Sequence, residues 1–123
     1  ALGLQLALHA ERAETCGRLP ALRESFDVVT ARALAAMPVL LELTTPLLKP
    51  GGEALFLKGP GVFEELDHAR YALHELCCRV IETKAITLPL VGTQTVVVRV
   101  KKLANTPKIY PRKPGIPGKK PLS

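Results

Sequence analysis

Short apolar runs of strand length alternate along this 123-residue chain with segments of helical length, and that alternation leaves few architectures open. Leu4 to His9, Phe26 to Thr30 and Glu53 to Leu57 are such runs, the last entered through a Pro50-Gly51-Gly52 turn. Each has the length of a buried parallel strand. Between them lie Leu34 to Leu48 and Phe63 to Leu76. In the second, Phe63, Leu66, Ala69, Tyr71, Leu73 and Leu76 are interspersed with Glu64, Glu65, Asp67, His68, Arg70 and Glu75, the pattern of an amphipathic helix laid on a sheet. Strand, helix, strand, helix, strand implies right-handed parallel crossovers in an α/β layered domain. The two later extended segments, Arg79 to Leu90 and Thr93 to Leu103, are joined only by a short Val91-Gly92 turn, so they must run antiparallel. The expected fold is α/β over residues 1–104, a parallel sheet finished by an antiparallel hairpin.

Residues 105–123, NTPKIYPRKPGIPGKKPLS, are of another kind. Five prolines fix their own φ and remove backbone donors, and each pushes the residue before it toward extended conformations. Neither helix nor central strand is expected there, and Lys108, Arg112, Lys113, Lys119 and Lys120 should ride on a semi-rigid ribbon. With Arg99, Lys101 and Lys102 just upstream, this end carries eight of the seventeen basic residues and none of the eleven acids. The positive balance is therefore local, as a polyanion-binding arm requires, because phosphate neutralisation depends on clustered charge. Tyr110, between the two basic halves, offers a flat ring for stacking on a base and points to RNA. The alternative is a solvated terminus.

Three segments resemble one family. TPKIYPRKPGIPGKKPL at the C-terminal end, FDVVTARALAAMPVLLELTTPLLKPGG from Phe26 to Gly52 and LFLKG from Leu55 to Gly59 are similar to the corresponding stretches of the RsmG (GidB) methyltransferases. These are S-adenosylmethionine-dependent enzymes that methylate N7 of one guanine in bacterial small-subunit ribosomal RNA. The resemblance spans nearly the whole chain and implies the C-terminal part of a Rossmann-like class I methyltransferase sheet. The family's glycine-rich cofactor loop, and the acidic residue closing its next strand, would lie ahead of Ala1. The 123 residues alone are accordingly expected to bind S-adenosyl-L-methionine weakly, to transfer no methyl group, and to be unstable for want of the strands that would cover their open edges.

In open α/β sheets ligands lie beyond the carboxyl ends of the strands, which directs attention to His9 to Glu14, Ala31 to Ala33 and Lys58 to Gly61. The resemblance places Ala13 with Glu14 against the adenine of the cofactor and Arg32 in contact with it. The chemistry is compatible: a small residue lets an adenine lie flat, a carboxylate or its neighbouring backbone accepts from the exocyclic amine, and a guanidinium is a planar fork. Taken alone, a charged residue in a strand-end loop is more often solvated or paired. Lys58 follows an apolar strand directly and is a candidate RNA contact at the rim. Gly59-Pro60-Gly61 lets backbone approach a base or phosphate, or is a turn that needs glycine dihedrals. Gly51-Gly52 reads as a structural turn.

The residue inventory disfavours nucleophilic and metal mechanisms. Cys16, Cys77 and Cys78 are an odd number with two adjacent, and His9, His68 and His74 are scattered, so no disulfide framework, zinc site or cysteine–histidine pair is expected. With no leader and no apolar run of membrane-spanning length, the chain reads as cytoplasmic. Methylation of guanine N7 needs no general base, since the lone pair is free, and positioning can carry the catalysis. Three readings follow: part of a ribosomal RNA guanine-N7 methyltransferase acting on rRNA or the small subunit, a basic RNA-binding module without chemistry, or a fragment of a small-molecule enzyme. The basic end argues against the last.

Overall fold

β-branched residues in three strands, and the alternately buried Ala54 to Phe56 stretch in the other, accompany four strands: β1 (Phe26–Arg32), β2 (Leu48–Lys58), β3 (Cys78–Thr87) and β4 (Gln94–Lys102). The computed structural model describes residues 22–32, 36–87, 94–113 and 115–122. The expected strand at Leu4 to His9 and the Val91-Gly92 turn lie outside the described residues. The sheet order is β1-β2-β4-β3, with β1 parallel to β2, and β4 antiparallel to both β2 and β3. The α/β class and the closing antiparallel hairpin are as the alternation and the short connection require.

The helices cover one face. α1 (Met37–Thr44) is buried along its whole length and passes through a 3-10 turn, Thr45–Leu47, into β2. It ends short of the expected Leu48 because Pro46 has no N–H to continue the α ladder, and it begins behind an extended Ala36. The second expected helix is two: α2 (Val62–His68) and α3 (Arg70–Glu75), separated at Ala69. Val62, Ala69, Ala72 and Leu76 are fully buried, with Leu66 and Leu73 packed against them. These positions recur every three or four residues. Phe63 and Tyr71 fall off that stripe and stand 53% and 49% exposed, contrary to the expectation that they cover the sheet. Beneath the helices, Ala54 and Phe56 of β2 and Val96, Val98 and Val100 of β4 point inward on the period of two.

β2 starts earlier than expected because it runs through Pro50-Gly51-Gly52. Its register against β1 jumps from Phe26↔Leu48 to Val28↔Glu53, so extra residues of β2 bulge out there. Gly51 takes φ +89, open to glycine without strain. At Gly52 a Cβ would lie 2.9 Å from the carbonyl oxygens of both Asp27 and Lys49. Gly52→Ala should therefore cost about 1–3 kcal/mol through forced backbone shifts, read as a lowered urea midpoint, whereas an unchanged midpoint would show that the bulge adapts freely.

The C-terminal segment departs most from expectation. It does not run as a ribbon but folds back on the helices, and Tyr110 and Leu122 join the same core as the strands. A helix does form, α4 (Ile116–Lys119), which packs on α1 and starts behind a left-handed Gly115. Pro117 sits in its first turn, where an N–H is not needed, so proline density did not exclude helix there. No helix among the described residues is long and apolar enough to cross a membrane.

Candidate functional site

β1 and β2 end side by side. Arg32, the last residue of β1, pairs in register with Leu57, and Lys58 is the last residue of β2. Parallel pairing thus brings the chain at two of the expected cofactor and rim positions to one edge. Ala13 and Glu14 lie outside the described residues.

Lys58 is not directed into solvent. Its side chain is 7% exposed, and its Nζ lies 2.8 Å from Oε1 of Glu65 in α2. The same Glu65 oxygen accepts a 3.1 Å hydrogen bond from the backbone N–H of Met37, the first residue of α1. One carboxylate therefore joins the end of β2 to the start of the helix that follows the β1 loop. Sequence reading placed Glu65 on the polar side of a helix and missed this role. Its one signal was an acid seven residues after a strand-end lysine.

The turn after Lys58 is open. At Gly59 and at Gly61 an added Cβ would have nothing within 4 Å. Neither glycine is among those with positive φ, and Gly61 has φ −71. The need for special dihedrals, one of the two readings of this turn, is therefore not its reason for being glycine.

At the other end of the sheet the cations are held by acids. Glu42, fully buried in α1, receives a fork from Arg112: Nη2 donates to Oε1 at 2.8 Å, Nε to Oε2 at 3.0 Å, and the Arg112 backbone N–H adds a third bond at 2.8 Å. That hydrogen bonding raises the Arg112 pKa further. Lys102, also fully buried, lies 2.9 Å from the Glu24 carboxylate and donates to the carbonyls of Thr45 and Leu48 at 3.0 and 2.6 Å. Burial lowers its pKa while Glu24 opposes the shift. Arg99 pairs with Glu53 at 2.7 Å and approaches Glu82 at 3.5 Å. Three of the eight clustered cations are thus engaged internally. Arg23 fastens the same segment by donating to the carbonyls of Thr106, Pro107 and Tyr110.

Tyr110 was expected to offer a ring for stacking. It is 4% exposed, and its hydroxyl donates to Glu75 at 3.0 Å. Its ring face is spent on the core, because the segment turns inward here. Burial first, and then Glu75, push the hydroxyl up to about 12. The folded chain holds this proton more tightly than the unfolded one, so the stabilisation is complete below about pH 10 and is lost as pH rises toward 12. The urea midpoint of the native sequence should fall over that window more than that of Tyr110→Phe, and parallel curves would contradict the assignment. Lys108, Lys113, Lys119 and Lys120 remain exposed. Cys78 is buried, and burial pushes its thiol up to about 12 against the pull of Lys102, which makes it inert near neutrality.

The expected residues thus fall into two groups at opposite edges: Arg32 and Lys58 at the carboxyl ends of β1 and β2, and the C-terminal cations where β4 leaves the sheet.

Known proteins share this chain's sequence and fold. The GidB model, described as rRNA small subunit methyltransferase G, matches residues 1–89. The Ribosomal RNA small subunit methyltransferase G of Geobacillus kaustophilus is 47% identical over 122 residues, 98% of this chain and 51% of its own length. That of Deinococcus deserti is 47% identical over 123 residues, 99% of this chain and 50% of its own. The chain spans about half the length of the curated relatives it matches. Among solved structures, a mutant 16S rRNA (adenine(1408)-N(1))-methyltransferase from Catenulisporales acidiphilia superposes with a TM-score of 0.54 at 13% identity, covering 80% of this chain and 58% of that one. The antibiotic-resistance methyltransferase Kmr gives 0.54 at 19% identity, over 74% and 60%. At those identities the likeness is one of fold. With most of its length matched by the family model, the chain belongs to the GidB family, rRNA small subunit methyltransferase G.

Proposed function

We propose that this chain is the substrate-side half of an S-adenosyl-L-methionine-dependent enzyme that methylates guanine N7 in small-subunit ribosomal RNA, working in the cytoplasm. The observation that carries the reading is that the chain at Arg32, the end of β2 and an open Gly59-Pro60-Gly61 turn come to one sheet edge, in a chain of the GidB family. The residues present fit part of such a cofactor site. Glycines at positions 59 and 61, which neither dihedrals nor crowding require, leave backbone accessible to a flat ligand.

Arg32 is the residue proposed to hold the cofactor, with Ala13 and Glu14 as further contacts. S-adenosyl-L-methionine supplies a methyl group on a sulfonium centre, and guanine N7 has a free lone pair, so no side chain has to move a proton. The chain's own part is to position. Glu65 fixes the Lys58 ammonium and the first turn of α1 together, so two walls of the edge are set before any ligand arrives. The Lys58 ammonium is held by Glu65 and not offered to RNA, so the contact first expected there passes to the open turn after it, while Lys108, Lys113, Lys119 and Lys120 are proposed phosphate contacts away from that rim. Arg112 and Tyr110 serve that binding indirectly, by holding the segment that bears the lysines.

Arg32→Ala in the full-length protein should weaken cofactor binding roughly 10- to 100-fold, the worth of a charge-assisted hydrogen bond, and leave rRNA binding unchanged. Calorimetry with the cofactor beside filter binding of rRNA reads both. Unaltered cofactor affinity would remove Arg32 from the site.

A further inference from the structure

We infer that RNA is also held at a second surface, at the sheet edge opposite the strand-end cleft, where the C-terminal segment bearing Lys113, Lys119 and Lys120 is tied to the helix that bears Tyr71. This rests on the RNA substrate proposed above and deepens it, because it makes the substrate a folded RNA long enough to reach both edges.

The distance comes from the topology. β4 runs antiparallel to β2, so Val96 lies opposite Lys58 at the cleft edge and Lys101 lies opposite Glu53. The chain leaves the sheet after Lys102, six residues further along β4, or about 20 Å at 3.4 Å per residue. It stays at that edge. Lys102 binds carbonyls where α1 hands over to β2, Arg112 grips Glu42 near the end of α1, and Tyr110 bonds to Glu75 at the end of α3. Arg112 Nη2 also donates to the Lys120 carbonyl at 2.5 Å, which draws α4 and its lysines to the same place.

The chemistry of this surface is that of a polyanion site. Lys113, Lys119 and Lys120 are exposed and form no salt bridge among the described residues. Glu42 and Glu75, the acids to which this segment is tied, are already occupied by Arg112 and Tyr110. Tyr71 precedes Glu75 by one helical turn, hence on the same side of α3, and its ring is 49% exposed. Exposed ammonium groups on the segment, and an uncovered aromatic ring on the helix to which it is tied, suit backbone phosphates and an unpaired base. Methylating one base requires only the cleft, so a surface about 20 Å away reads RNA that the chemistry does not touch.

The test uses the full-length protein with a small-subunit rRNA transcript and with a short hairpin that fills the cleft alone. Replacing Lys113, Lys119 and Lys120 together by alanine should weaken transcript binding at least tenfold and reduce the log-log salt slope by about 2, at roughly 0.7 per phosphate contact. Hairpin binding and cofactor affinity should stay as in wild type. Tyr71→Ala should weaken transcript binding roughly 5- to 100-fold without altering the slope, and Tyr71→Phe should restore it. The inference is overturned if the triple variant keeps the wild-type affinity and slope on the transcript, or if only binding to the assembled subunit suffers, which would assign the surface to a ribosomal protein. In those cases wild type still methylates rRNA and the proposed activity stands. Wild-type protein that transfers no methyl group would instead remove that activity, and this inference with it.

Discussion

Arg112→Ala is expected to cost about 3–5 kcal/mol of folding stability, the usual penalty for leaving one member of a buried ion pair without its partner. Glu42 is fully buried, and both of its oxygens are satisfied by Arg112. Alanine at 112 keeps the backbone N–H but removes the fork, stranding a carboxylate among the apolar residues of α1. Since the same guanidinium also holds the Lys120 carbonyl, the C-terminal segment should come loose, and limited proteolysis should cut between residues 105 and 123 well before the sheet unfolds. Glu42→Gln should be milder, because an amide is cheaper to bury than a charge. Urea titration of the three proteins is sufficient. A loss under about 1 kcal/mol for Arg112→Ala would mean that Glu42 finds water or another donor, and that Tyr110, Leu122 and the Arg23 bonds suffice to hold the segment.

The second large effect is expected at Glu65. Glu65→Ala leaves the Lys58 ammonium, 7% exposed, without its acid, and frees the first N–H of α1. Both changes fall at the edge proposed to receive the cofactor and the guanine. A misplacement there of about 1 Å should lower kcat/KM for rRNA methylation roughly 100-fold. Glu65→Gln separates the two bonds, since its amide oxygen can still accept from Met37 while the charge facing Lys58 is gone. If the α1 contact sets cofactor affinity, Glu65→Gln should bind S-adenosyl-L-methionine like wild type and Glu65→Ala should not. Steady-state kinetics with calorimetry distinguishes these, and full activity in Glu65→Ala would show that the carboxylate only decorates the surface.

The succession of strands and helices, and the antiparallel closing pair, were legible because they depend on local quantities: apolar run length, helix-length connections before β2 and β3, and a connection before β4 too short for a crossover. The insertion of β4 between β2 and β3 depends on remote pairing and was not legible. Lys102 was counted with the exposed cations, although parity carried the signal against that, for it continues the inward series Val96, Val98, Val100. The fate of the C-terminal segment was not legible, since its contacts are remote. Arg112 and Glu42 are 70 residues apart, and Tyr110 and Glu75 are 35 apart. A cation-rich, proline-rich stretch looks solvated until the acids awaiting it are known. One clue was present: Glu42 is the only charged residue in the helical sequence MPVLLELT, and a lone acid on a buried helix asks for a partner. The same remoteness explains why Tyr110 was taken for the exposed ring and Tyr71 for the covered one. Cleft residues were legible in part. Parallel pairing put Arg32 beside the end of β2, whereas Glu65 acts across a turn and shows no motif.

Methyl transfer by the full-length protein tests the central claim most directly. Incubated with tritium-labelled S-adenosyl-L-methionine and small-subunit rRNA or subunits lacking the modification, it should place label at N7 of a guanine, detected as strand scission after borohydride and aniline, with Arg32→Ala and Glu65→Ala both strongly impaired. Folded wild-type protein that binds the rRNA but leaves it unlabelled would contradict the account and favour an RNA-binding module without chemistry.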